Sequence, residues 1–274
     1  MVAEHRVGTL AVVHVFVTDE TNLNPGAKSK FFIYGGLVFD DATVKTLSDR
    51  IQQIRNQTGF LADDSLKFET GSRPGHIALA NWTAAKAAVI EACIAEGARF
   101  ISYLVLHDIA KNKTQKELVE YGMNTVLAGF NRYLDHHGSH GLALVDRTPG
   151  DKGFGYLKQK FSQGLSGPGW EGIPLNRIYA YGATCDGASH LSSAVDIVLG
   201  SLRYCVNASV ETDVVANMFT QVARLMWHNK VGDVVFVREY GLMLRPLDVK
   251  VDAYREEYDT LVQRLSALAK EIPD

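Results

Sequence analysis

Short apolar runs of strand length alternate along this chain with longer stretches whose apolar residues recur at helical spacing. That alternation restricts it to a layered α/β architecture. Residues 10–17 and 30–39 read as two strands joined by the hairpin-like "NPGAKS". The stretch "DDATVKTLSDRIQQIRNQ" then opens on Asp40 or Asp41 as a cap and places Val44, Leu47, Ile51 and Ile54 on one helical face. "ARFISYLVLHD", "GLALVDR" and "NRIYAYGA" are further strands. The Ala-rich segment closed by Gly97, the segment capped by Thr114, "GYLKQKFSQ", the segment around Asp196, a stretch from about Asp213 to Trp227 and the segment from Val251 to Ile272 are helices between or after them. "SLKFET" reads as a short strand and "DVVFVREYGLMLRP" as a late strand pair. Antiparallel-type connections come first and helix–strand alternation follows. The expected fold is therefore a single α/β domain, with a mixed central sheet and helices on both faces.

Composition matters mainly for what it excludes. A chain of 274 residues with 46% hydrophobic and 22% charged residues buries a sizeable core without cross-links. Its net charge of −3 gives no global field towards nucleic acid, so a polyanion partner has to be met by a local basic patch. Cys93, Cys185 and Cys205 are far apart and form no C-x-x-C pair, which fits a reduced, cytoplasmic protein. The first apolar run is too short to span a bilayer and leads straight into Asp19, so neither a signal peptide nor a membrane partner is expected.

The acids are placed less ordinarily. "VFVTDE" ends on Asp19 and Glu20, "LKFET" on Glu69, "YLVLHD" on Asp108 and "LALVDR" on Asp146; Asp196 interrupts the apolar helix "SSAVDIVLG". One strand-end acid serves equally well as a turn or cap residue. A series of them, carried to one edge of a sheet, forms an oxygen-donor site suited to Mg²⁺ or Mn²⁺. One or two such ions activate water and stabilise a leaving oxygen in phosphodiester cleavage.

The ordered series "VTDETN", "FFIYGGLVF", "LKFET", "LALVDR" and "HLSSAVDIVLGSLRY" resembles domain-of-unknown-function family 3800, itself a divergent branch of the ribonuclease H-like nucleases. The resemblance runs from Val13 to Tyr204 and leaves residues 207–274 as an uncovered C-terminal extension. It implies a ribonuclease H-like fold and a metal-dependent nuclease. Asp19 and Glu20 match the family's first acidic pair, Asp146 its later strand-end Asp, and Asp196 its helix Asp. Lys67 matches the lysine of its short motif, whose acid is either Glu69 or Asp64, with Glu69 preferred. Thr21-Asn22 stands where the family has Ser-Gly, and Ser193 and Val195 replace its Gln and Ala. The implied ligands of one or two Mg²⁺ or Mn²⁺ ions are Asp19, Glu69, Asp146 and Asp196, with Glu20 and Lys67 completing the catalytic group. Arg147 and Lys152, in the Gly- and Lys-rich segment after the Asp146 strand, are candidates for a substrate phosphate. The competing expectation is an inactive binding or assembly protein on the same fold, its acids tied up by Lys67, Arg147 and Arg203.

Overall fold

A computed structural model describes residues 12–26, 29–146, 152–167, 170–185, 187–208, 210 and 212–270. Strand β1 (Val13–Thr21) runs past its apolar stretch: Asp19, Glu20 and Thr21 remain paired, opposite Gly35, Tyr34 and Ile33 of β2 (Phe31–Asp40). The expectation that the strand stops at its acids is thus corrected. β2 is long enough to keep satisfying the backbone groups of β1, so the polar side chains do not end the ladder. Asp40 then caps α1 (Asp41–Thr58), accepting from the Ala42 amide at 2.9 Å.

Helix α2 (Leu79–Ala95) leads to β3 (Arg99–Leu106) and the short α3 (His107–Ala110), in whose first turn Asp108 lies. Thr114 and Glu117 form a reciprocal capping box that starts α4 (Gln115–His136). After β4 (His140–Asp146) come α5 (Lys152–Gln163), a hairpin of β5 (Leu165–Gly167) and β6 (Trp170–Ile173), then β7 (Ile178–Thr184). Helices α6 (His190–Asn207) and α7 (Asp213–Leu225) follow. Strands β8 (Asn229–Val231), β9 (Val234–Phe236) and β10 (Leu242–Leu244) precede α8 (Asp252–Lys270).

The six-stranded central sheet has the order β10-β3-β2-β1-β4-β7, with β2 running against its partners. Alternation along the strands sends Val17, Ile33, Leu37 and Leu104 into a core formed with α1, α2, α6, α7 and α8. Phe16, Tyr34, Val38 and Tyr103 enter a second core, under α4 and α5. The mixed sheet and the helices on both of its faces agree with the α/β expectation.

Two strand expectations are corrected. "SLKFET" forms no strand, because its backbone is engaged by side chains of α6 and α2, as described below. Within the late segment "DVVFVREYGLMLRP" the pairing is one isolated bridge, Arg238 to Leu242, and not a ladder of two strands: β9 pairs with β8, whereas β10 joins the main sheet beside β3. Among the described residues, no helix is long and apolar enough to cross a membrane.

Candidate metal centre

Strands β1 and β4 are parallel neighbours with Val17 opposite Leu144. Two residues further along each strand stand Asp19 and Asp146, so the two-residue repeat puts both carboxylates on the same face and at the same edge. Glu20 follows directly. One carboxylate oxygen from each of Asp19, Glu20 and Asp146 lies within 4.8 Å of the others, and all three residues are partly buried. Asp19 Oδ1 accepts from the Glu20 amide at 2.7 Å. Burial above all, then the negative charges of Asp146 and Glu20 and more weakly that of Asp196, push the Asp19 carboxyl up to about 8. The Glu20 amide opposes that rise without cancelling it.

Asp196 arrives from the helix. Ser189 caps α6 by accepting from the Ser192 amide at 3.2 Å, and Leu191, Ala194, Val195, Val198 and Leu202 bury the face that packs on the sheet. Asp196 lies between the buried Val195 and Ile197 and is itself partly exposed. Its Oδ2 accepts from the Phe68 amide at 2.6 Å. Two strands and a helix, far apart in sequence, thus bring Asp19, Glu20, Asp146 and Asp196 to one region.

The remaining candidates are placed differently. Glu69 is held by Arg203, whose Nη2 donates to Oε2 at 2.7 Å, and its side chain is 63% exposed. Asp64 accepts from the Leu61 amide at 2.6 Å and pairs with His76 at 3.0 Å. The two alternatives for the motif's acid therefore both have other partners. Lys67 lines a cleft that Asp196 also lines. Arg147 lies outside the described residues, as does the side chain of Lys152, which starts α5.

Lys86 of α2 escaped the sequence reading. Its Nζ donates to the Phe68 carbonyl at 3.1 Å and lies 4.6 Å from the centre of the Phe68 ring. Burial lowers its pKa, while the charges of Glu69 and Asp196 raise it. Phe68 therefore ties two charged groups together, its amide to Asp196 and its carbonyl to Lys86. The available signal was a single basic residue in the otherwise apolar and small-residue run "AAKAAVI".

No model of a known family, no curated protein and no solved structure matches the chain.

Proposed function

We propose that the protein is a metal-dependent nuclease that hydrolyses phosphodiesters through a carboxylate-held Mg²⁺ or Mn²⁺ site. The observation that carries this is the gathering of Asp19, Glu20 and Asp146 within 4.8 Å, with Asp196 acting on Asp19 from α6. Carboxylates packed so closely repel one another, and a divalent cation removes that cost. All the donors are oxygens, which favours a hard ion. A mixed sheet with the first acids on one of its two central strands, and helices on both faces, supports the ribonuclease H-like part of the proposal.

Asp19 and Asp146 are the binding pair, with Asp196 completing the ligand set from the helix and Glu20 beside them. Glu69, held by Arg203, is left out of that set. A bound ion of this kind supplies an activated water and charge stabilisation at the leaving oxygen. The raised pKa of Asp19 means that it must give up a proton when it becomes a ligand, so ion binding tightens as pH rises. Lys86, fixed on Phe68, limits the negative charge around Asp196.

The competing reading, a binding or assembly protein with neutralised acids, has the Arg203–Glu69 pair on its side. Asp146→Asn separates the two. As a ligand substitution, it leaves the metal-free protein at least as stable as the wild type. It also shrinks the Mn²⁺-induced rise in melting temperature and lowers nuclease activity by orders of magnitude. If Asp146 is instead the structural partner of a buried cation, the variant loses roughly 3–5 kcal/mol and Mn²⁺ alters neither form. That result sinks the nuclease proposal. Thermal melts of both proteins with and without Mn²⁺ make the measurement.

A further inference from the structure

Strands β1, β4 and β7 lie side by side and parallel, with Val17 opposite Leu144 and Asp146 opposite Thr184. Paired residues of a parallel ladder point to the same face. Asp19, Asp146 and Thr184 therefore form one row across three strands, with about 4.8 Å from strand to strand. Thr184 ends β7 and is partly exposed. Its hydroxyl makes no hydrogen bond to another described residue. The sequence reading stopped this strand one residue earlier and passed over it.

The sheet face that carries this row is open beside it. The helices over that face, α1, α6 and α7, pack on β1, β2 and β3, whereas α4 and α5 meet β4 and β7 from the opposite face. Leu142 and Leu144 of β4 stand opposite Ala180 and Gly182 of β7, and Leu142 and Ala180 are exposed. Leu144 leans over Gly182, where a Cβ would meet its Cδ2 at 2.9 Å, which keeps the middle of this floor flat. At the far end the Tyr179 ring stacks on His140, with centroids 4.4 Å apart and planes at 15°. Tyr179 is 57% exposed, which leaves its other face to solvent. From His140 to Asp146 the floor runs about 20 Å at the rise of a strand.

Three features of the floor fit one occupant. Its middle is neutral, so nothing there repels a phosphate backbone. Its far end presents an aromatic face. Bases inside a duplex already cover one another, so only an unpaired base can stack there. Its near end joins the acids, where a bound divalent ion attracts phosphate, and sets the unbonded Thr184 hydroxyl beside them. We infer that the β4–β7 floor guides an unpaired nucleic acid strand to the metal centre, one base stacked on Tyr179 and Thr184 donating to an oxygen of the phosphate over the acids. The inference rests on the nuclease proposal and adds to it the single-stranded form of the substrate and two residues that hold it.

Fluorescence anisotropy of a labelled thymidine octanucleotide with the full chain tests it. The titration is made in Ca²⁺, whose looser coordination holds phosphate without the geometry for cleavage. The expected result is binding of the single strand, with the same strand annealed to its complement at least about tenfold weaker. Tyr179→Ala weakens the single strand about tenfold, the loss of one stacked base. Thr184→Val, of nearly the same shape, also weakens it about tenfold, the loss of one hydrogen bond to a charged group, and Thr184→Ser restores it. Both weakened variants keep the Mn²⁺-induced shift in melting temperature, and neither removes a core side chain. The inference is overturned if the single strand does not bind, if the duplex binds as tightly, or if either variant binds like the wild type. Sedimentation that shows a dimer broken by Tyr179→Ala gives the floor to a second copy and overturns it as well. Failure of the nuclease proposal looks different: Mn²⁺ then stabilises neither the wild type nor Asp146→Asn, whatever the octanucleotide does.

Discussion

Asp19 holds its proton because it is buried and faces two other carboxylates, and this ties stability to pH. Its pKa rises from the ordinary 3.8 to about 8 in the folded chain. Between those values the folded state binds more protons at this site than the unfolded state, so Asp19's contribution to stability falls as pH rises. The contribution is fully present below about pH 4 and is lost as pH passes through about 8. Asp19→Asn removes the titration. In EDTA, the variant's urea midpoint should therefore rise relative to the wild type between about pH 5 and about pH 9. A difference that stays constant over that range would show that Asp19 is not strained. The sequence pointed to Asp19 and Asp146 because they end apolar strands, and to Asp196 because it interrupts an apolar helix. Lys86 was hidden because its place depends on the path of an irregular segment, which no periodicity records, whereas Arg203 was expected to tie up acids and does so at Glu69.

At the scale of elements, α6 does two things at once: it packs on the sheet and fixes Phe68. Gly200 allows the second, since a Cβ at that position would meet Phe68 Cγ at 2.3 Å and Cβ at 2.4 Å. Gly200→Ala forces Phe68 outwards and strains the bonds from its backbone to Asp196 and Lys86. The expected cost is about 1–3 kcal/mol in urea unfolding, accompanied by weaker Mn²⁺ binding. Gly71→Ala, where a Cβ meets nothing within 4 Å, is the control and should change neither. Helices with side-chain caps, such as α4 and α6, were legible because capping chemistry is local. "SLKFET" was misread for the opposite reason: a strand-like hexapeptide becomes a strand only where a neighbouring strand receives it, and here side chains of two helices take its backbone groups.

Across the whole molecule, the last quarter of the chain is built into the sheet. β10 lies beside β3, and the Tyr258 hydroxyl accepts from the Leu106 amide at 3.1 Å while donating to the Arg245 carbonyl at 2.8 Å. Tyr258→Phe leaves the Leu106 amide without that acceptor, an expected loss of about 1–3 kcal/mol. Chemical denaturation followed by far-UV circular dichroism and by tryptophan fluorescence measures it. The two signals should move together if the C-terminal quarter unfolds with the rest. The α/β class was visible in the alternation of periods, but the return of β10 to β3 was not, because a three-residue strand carries no sign of its partner.

The order of connections also bears on kinetics. β1 and β2 pair across a short connection, whereas Asp19 meets Asp146 and Asp196 only after β4 and α6 have closed much longer loops. Distant closures of that kind tend to come late in folding. Repulsion among the carboxylates is then felt mainly in the finished structure and little in the transition state. An ion that relieves it should lower the unfolding rate and leave the refolding rate nearly unchanged. In a chevron plot with and without Mn²⁺, the unfolding limb should shift while the refolding limbs superimpose.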